Sequence, residues 1–423
     1  MPVLSGAPER YELLLEMQQR ISRTFDLPEI LHHLLEAVRR VVPYDAAGVF
    51  VLNESLDIPG RRTDRMIAAM AAVGFDPDPN REDPMLRSGK GIIGHVIRTC
   101  SPMISPDVRA DPHYVSGREG TLSEVAVPIT MNGAVIGALN LESDRVGAYS
   151  EADVRELDFF ATAVAISIEK ALLHHQVVEK QHLDHHLLVA REVQASLLPS
   201  SAPRVPGYDM DGFNLPTMEI GGDYYDYLPL DDGRLGLVVA DVSGKGVAAA
   251  LIMATFRAAL RMEHRRERSI THVVREVNRL LLDSIGPSRY VTAVYGILDP
   301  ARGEFTYMNC GHNPPLLLDA RGRCTRLARG RPALGMPVTG TEETGRVLLE
   351  PGSMLAIFTD GVVEPCSPGG DEFGEARLES LLRRSAAQPA AEVVRTVVRE
   401  TLDYVGQPSY DDDFTLLVVK RDR

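Results

Sequence analysis

Four acidic groups mark the second half of the chain. They are Gly221-Gly222-Asp223-Tyr224-Tyr225-Asp226, Ala240-Asp241-Val242-Ser243-Gly244-Lys245-Gly246, Phe358-Thr359-Asp360-Gly361 and Asp411-Asp412-Asp413-Phe414-Thr415. Asp241 and Asp360 follow short apolar runs at 235–240 and 354–358, and the last group precedes another at 414–419. An Asp at a strand end is short and well anchored, so its oxygens are aimed with little loss of side-chain entropy. Neighbouring glycines leave the backbone free to turn. Several such ends brought together repel one another unless cations are bound. Hard divalent ions take oxygen ligands, so an all-carboxylate, water-rich site suits Mg²⁺ or Mn²⁺. Any one of these groups alone also has the composition of an ordinary turn. Their chemistry depends on elements that bring all four together.

The chain has room for such elements. Its 423 residues allow roughly three units of about 150 residues each. Hydrophobic residues at 44% and charged residues at 25% are ordinary for a globular protein and argue against a disordered or fibrous chain. The net charge of -14 repels a polyanion, so nucleic acid is not an expected partner. Cys100, Cys310, Cys324 and Cys366 are scattered with no C-x-x-C, which fits a reduced, cytoplasmic setting and no zinc knuckle. The N-terminus has no apolar core and carries Glu9 and Glu12, so no signal peptide is expected. The most apolar stretch, 159–168, is about half of the ~20 residues a membrane span needs. No membrane insertion is expected.

The first section reads as mixed α/β. Asp26-x-x-Glu29 opens a helix with Ile30, Leu31, Leu34, Leu35 and Val38 at helical spacing. The stretch 41–52 is strand-like, and 53–65 and 74–91 read as loops. Two strand patterns at 124–129 and 134–141 flank Asn132-Gly133, a strong hairpin signal. Ser150-x-x-Asp153 opens a long helix with Leu157, Phe160, Val164 and Ile168 on one face. Ser88-Gly-Lys-Gly-Ile-Ile-Gly-His-Val-Ile, Asp111-Pro-His-Tyr, Ser123-Glu-Val-Ala-Val-Pro-Ile and Gly133-Ala-Val-Ile-Gly-Ala-Leu-Asn-Leu-Glu-Ser occur in an order that resembles a GAF sensor domain over roughly 10–172. The resemblance implies an antiparallel sheet with helices on its faces and an unknown small ligand or protein bound there. The motif of cyclic-nucleotide GAF domains is absent, and Cys100 reads as a small packed residue.

No Gly or Pro occurs between Ala148 and Pro199, so one continuous helix is allowed. Leu187, Ala190, Gln194 and Leu197 suggest a short coiled-coil seam. His174, His175, His182, His185 and His186 read as a solvated helix, with a pH-sensitive linker as the alternative. The expected organisation is a sensor domain at 10–170, a helical linker at 171–203 and a catalytic domain at 204–423.

The four acidic groups, together with Cys310-Gly-His-Asn-Pro-Pro-Leu-Leu-Leu and Ala190-x-x-Val193-Gln194-x-x-Leu197-Leu198-Pro199, resemble the SpoIIE-like branch of the metal-dependent PPM (type 2C) Ser/Thr protein phosphatases over about 187–423. The resemblance implies two packed antiparallel sheets flanked by helices, so the whole chain is α/β and α+β. It implies two ions, Mn²⁺ or Mg²⁺. Asp223 matches the first metal carboxylate, Asp241 the aspartate bridging two ions, Asp360 and Asp412 the later metal aspartates, and the Val242 carbonyl a further ligand. Asp413 is adjacent, with its role open, and Asp226 matches a residue orienting the loop or a water. Hydrolysis would proceed by in-line attack of activated water on phosphorus, with no phosphoenzyme and no Cys nucleophile.

Lys245 reads as a surface lysine, with a place near a substrate phosphate as the alternative. Ser243-Gly-Lys-Gly and Ser88-Gly-Lys-Gly are not P-loops, because Gly follows Lys in both. Gly311-His312-Asn313-Pro314-Pro315 reads as a strand-turn signature. The resemblance further implies bacterial partner switching: dephosphorylation of a STAS-type anti-sigma-factor antagonist, regulated by the GAF domain through a homodimeric helical linker. No kinase domain is expected after the last strand. A catalytically silent ligand-sensing scaffold and a metal-dependent phosphodiesterase remain as alternatives.

Overall fold

The structure is a computed structural model that describes residues 26–52, 67–75, 90–266, 269–286, 288–337, 342–406 and 412–422. It divides into two compact units, Met1–His182 and Leu183–Arg423. The expected loop at 53–65, residues 76–89 of the loop expected at 74–91, and Asp411 lie outside the described residues.

In the first unit, helix α1 (Leu27–Val41) starts where Asp26 accepts the Glu29 amide, as the capping spacing predicts. Strands β1 (Ala46–Leu52), β2 (Ile67–Val73), β3 (Met103–Ser105), β4 (Ser123–Met131) and β5 (Ala134–Ser143) form one antiparallel sheet in the order β2-β1-β5-β4-β3. Asn132 (φ 53) and Gly133 (φ 80) turn the β4–β5 hairpin through the left-handed region, as their types predict. One sheet face packs Val125, Val127, Leu139 and Leu141 against α1 and the start of α3 (Glu151–Leu197). The other packs Ala126, Ala138 and Phe50 against Ile92, Ile93 and Val96 of α2 (Gly91–Thr99). Cys100 is exposed and caps α2 with φ 51. The expectation of a packed residue is therefore corrected: this position terminates a helix in the left-handed region, which is why Gly suits it.

Helix α3 is continuous over 47 residues. The Ser150 amide and hydroxyl both meet Asp153 Oδ2 at 2.8 Å at its start. Its buried residues end at Ile168, and its histidines from 174 onward are not buried. Among the described residues, no helix is long and apolar enough to cross a membrane.

The second unit contains β6 (Tyr208–Leu215), β7 (Tyr224–Pro229), β8 (Leu235–Val242), α4 (Val247–Arg266), α5 (Ile270–Ser284), β9 (Val291–Asp299), β10 (Glu304–Cys310), β11 (Leu316–Leu318), β12 (Cys324–Arg326), β13 (Gly330–Arg331), β14 (Gly345–Leu348), β15 (Met354–Phe358), α6 (Gly374–Arg384), α7 (Ala390–Val405) and β16 (Phe414–Arg421). One sheet runs β13-β10-β9-β8-β7 with β14 beside β10, and the other runs β12-β11-β15-β16-β6. All pairings are antiparallel except the two-residue contact of β10 with β13.

Strand alternation builds three layers of core from these two sheets. Tyr225, Leu237, Val239, Val294 and Phe305 of the first sheet meet Met210, Leu317, Leu355, Ile357, Leu417 and Val419 of the second. The outer faces pack against α4 and α5 on one side and α6 and α7 on the other. Each fully buried large apolar side chain contributes about 1.5–3 kcal/mol, so the sandwich is a rigid base for the loops at its strand ends.

Candidate metal centre

The acidic groups meet where strands from both sheets end. Asp223 immediately precedes β7, and Asp241 lies near the end of the adjacent β8. In the other sheet, Thr359 and Asp360 follow β15, while Asp412 and Asp413 lead into the adjacent β16. Two hydroxyls tie the sheets together: Thr359 and Thr415 donate to Asp223 Oδ2 at 2.8 and 2.5 Å. Asp223 is almost wholly buried, and its Oδ1 has no hydrogen-bond partner.

Close backbone approach explains the glycines. The 3₁₀ turn Asp360–Val362 presses against the residues leading into β16. A β-carbon on Gly361 would stand 2.1 Å from the Asp413 carbonyl oxygen. Asp413 accepts the Thr217 amide at 2.8 Å and the Gly222 amide at 2.6 Å. A β-carbon on Gly221 would lie 2.3 Å from the same carboxylate. Both Asp413 oxygens are thus engaged, Oδ1 at Thr217 and Oδ2 at the Gly221-Gly222 turn. The neighbouring Asp412 points one oxygen to Lys245, 3.2 Å away. Lys245 is therefore more than a surface lysine: its ammonium lies beside a site carboxylate, though both side chains remain about half exposed (49% and 44%). The Val242 carbonyl faces Gly222, whose β-carbon would lie 2.9 Å from it.

Each of these carboxyls feels the charge of another. Burial, then the charge of Asp241, pushes the Asp223 carboxyl well above the usual range, against the pull of the two threonine hydroxyls. Burial also raises Asp241, reinforced by Asp360, Asp412, Asp413 and Glu364. Asp360 is raised by burial and by Asp412, and opposed by the Gly361 amide and Lys245. A cluster that resists ionisation in this way is one that bound positive charge would relieve. Together with the unpartnered Asp223 Oδ1, the oxygen-only donor set fits a hard divalent ion. Among the described residues no three His, Cys, Asp or Glu side chains form a ready-made cage, so water would complete the coordination, as Mg²⁺ favours.

Asp226 stands apart. It is buried, accepts Arg261 Nε and Nη2 at 2.7 and 2.6 Å, and bonds the Tyr224 hydroxyl and Tyr227 amide. It anchors β7 to α4, a positioning role in the strand that follows Asp223. The turn reading of His312 agrees with the structure. Its ring meets Thr292 Oγ1 at 2.8 Å, and its backbone is locked by Asn309. Thr359 lies inside an acidic motif, but its role depends on a pairing between distant strands that no local signal in the sequence marks. Gln194 near the end of α3 clasps the Gly221 backbone, donating to its carbonyl at 2.7 Å and accepting its amide at 3.0 Å.

Residues 231–422 match the family model for Stage II sporulation protein E, and residues 25–169 match that for the GAF domain. Protein IcfG of Synechocystis is 29% identical over 259 residues, covering 55% of this chain and 40% of that protein. Phosphoserine phosphatase RsbU of Bacillus subtilis is 27% identical over 268 residues, covering 62% of this chain and 78% of that protein. The chain thus spans less than half of the first relative and more than three quarters of the second. The SiaA-PP2C domain of Pseudomonas aeruginosa shares the fold, with a TM-score of 0.52 at 23% identity over 58% of this chain and 99% of that one. The chain joins a GAF domain to a SpoIIE-type domain of the PP2C fold.

Proposed function

We propose that the SpoIIE-type domain is a metal-dependent protein Ser/Thr phosphatase that acts in partner switching on a phosphorylated STAS-type antagonist. The observation that carries this reading is the convergence of Asp223, Asp241, Asp360 and Asp412 from four chain segments onto one pair of sheet ends. The similarity to a phosphoserine phosphatase supports the substrate class.

The carboxylates of Asp223, Asp241, Asp360 and Asp412, with the Val242 carbonyl, would hold two Mn²⁺ or Mg²⁺ ions. When bound, the ions supply positive charge for phosphoryl oxygens and lower the pKa of water. The chain's own residues do the positioning. Thr359 and Thr415 fix one oxygen of Asp223, and the other, Oδ1, is buried with no hydrogen-bond partner. Asp413 fixes the glycine turn that carries Asp223. Cys310 is buried, its thiol pushed up to about 12 by burial, so it does not serve as a nucleophile.

The domain boundaries 10–170, 171–203 and 204–423 belong to the same reading, as do a cytoplasmic setting and a homodimer formed through α3. Phe159, Ile166 and Leu173 are exposed at seven-residue spacing on that helix, which suits a paired seam. Gln194 then links helix packing to the Gly221 turn.

The test is Mn²⁺-dependent phosphate release from a phosphorylated STAS protein, with Asp360→Ala as control. Turnover lost in the folded variant supports the assignment. Hydrolysis of a cyclic dinucleotide instead would favour the phosphodiesterase, and the absence of turnover on either would favour a silent scaffold.

A further inference from the structure

Among the described residues of the second unit outside α3, eight large hydrophobic side chains are exposed. Five of them stand on segments tied to the metal centre, whereas scattered single ones would need no explanation. Val247 and Leu251 are 54% and 65% exposed, one helical turn apart at the start of α4. The turn Ser243–Gly246 joins them to Asp241 and Val242. Tyr290 is fastened to that turn twice: its amide donates to Ser243 Oγ at 2.9 Å, and its carbonyl accepts the Ser243 amide at 3.0 Å. Its neighbour Val291 pairs with Val242 in one direction and with Leu334 in the other. Met336 follows, held by Asn278, which donates to the Met336 carbonyl at 3.3 Å and accepts the Gly335 amide at 2.9 Å. Met218 adjoins Thr217, whose amide Asp413 accepts at 2.8 Å.

What covers these side chains follows from what the centre has to admit. Asp223 is buried, and Asp241 and Asp360 are half-buried, so a reacting phosphate enters below the surrounding surface. The turn beside them is open: a β-carbon on Gly244 or Gly246 would meet nothing within 4 Å. The phosphorus of a phosphorylated Ser or Thr lies only a few bonds from its own backbone. A folded phosphoprotein therefore delivers that group only by laying its own surface on the residues around the opening.

We propose that Met218, Val247, Leu251, Tyr290 and Met336 form an apolar docking rim for the phosphoprotein substrate, which carries a matching apolar patch beside its phosphorylated residue. The proposal rests on the phosphatase reading above and deepens it. Bound ions meet the phosphoryl group of every phosphate ester alike, so contacts remote from phosphorus select the partner. Apolar contacts suit that task because they hold a protein surface and do little for a small ester.

The test places Leu251→Gln and Met336→Gln separately in the full chain. Both side chains are exposed, so an unchanged melting temperature is expected. Mn²⁺-dependent turnover is measured on a STAS protein phosphorylated on serine and on p-nitrophenyl phosphate. The expected result is a KM for the phosphoprotein raised at least about tenfold, with kcat/KM for the small ester within about twofold of the unaltered chain. Binding is read separately by calorimetry in a chain that also carries Asp241→Asn to prevent turnover. There the Kd for the phosphoprotein should weaken at least about tenfold with either Gln. Parallel losses on both substrates make these residues supports of the centre and overturn the rim. Unchanged KM and Kd for the phosphoprotein overturn it as well. So does a shift in sedimentation of the variants, which assigns the surface to a second copy of the chain. Absence of turnover of both substrates by the unaltered chain overturns the phosphatase reading itself, and the rim with it.

Discussion

Both units bury acidic side chains against one another, but at opposite places in their sheets. In the SpoIIE-type domain the carboxylates come from strand ends and turns, and Asp412 remains half exposed. Their backbones are clamped by close contacts at Gly221, Gly222 and Gly361 that a side chain would prevent. In the GAF domain Glu124 and Glu142 come from the strands themselves, under α2, with an amide wedged between them. Strand ends leave room for an ion that keeps its water. On the sheet face the carboxyls are instead met by neighbouring side chains, Asn140 and Thr121. The same residue chemistry thus sits in two different settings because the backbone around it differs.

The largest effects separate function from stability at the strand-end cluster. Asp241→Asn removes one of the mutually repelling carboxylates and an oxygen ligand together. Mn²⁺-dependent phosphate release is expected to fall by at least about 10³-fold, while the metal-free protein melts at a higher temperature than the unaltered chain. Loss of turnover with a lowered melting temperature would mean that Asp241 is structural, and would break the comparison. Thr359→Val deletes one of the two hydroxyls on Asp223 Oδ2. Mn²⁺ affinity, read from the metal dependence of turnover, should weaken by about 10–100-fold.

Much of this arrangement is legible in the sequence, because the local signals are strong. Asp26 and Ser150 mark helix starts, Asn132-Gly133 marks a hairpin, and the four acidic groups mark strand ends. What is not legible is pairing at a distance. Asp226 belongs to a motif that reads as site chemistry, yet Arg261, 35 residues away, claims its oxygen. Lys245 reads as a surface residue until β16 places Asp412 beside it. Glu124 sits inside a quoted motif, but only the register with Glu142 shows that two charges face each other. Periodicity finds the elements, and cross-strand register decides which polar residues meet.

The Asp226–Arg261 pair offers a control that is neither site. Asp226 is buried while Arg261 is 38% exposed, so solvent screens part of the interaction. Arg261→Ala leaves a buried carboxylate with reduced compensation, and the SpoIIE-type domain should lose about 2–3 kcal/mol in urea unfolding. Mn²⁺ affinity per folded molecule should stay unchanged. A shifted metal affinity would draw Asp226 back into the centre and blur the contrast between anchoring and ligating carboxylates.

The smallest effect tests the sheet-face pair through pH. Burial, then Glu142, raises the Glu124 carboxyl well above its ordinary 4.5, while Asn140 opposes the shift. A carboxyl with a raised folded pKa holds its proton more tightly when folded than when unfolded. The folded state therefore binds more protons in the window between 4.5 and the raised value, and stability falls as pH rises through that window. The other groups facing Glu124 are Asp111, with His113 beside it, and Arg118 lies near Glu142. Burial works to raise Asp111, but the His113 amide, Ser105 and the His113 ring together hold it below its ordinary range, so it is already ionised across the upper part of the window. Melting of the GAF domain should accordingly shift a few degrees downward between pH 6 and pH 8.5, and Glu124→Gln should flatten that slope. A slope that survives Glu124→Gln assigns the titration to another group and leaves the pair as an ordinary buried network.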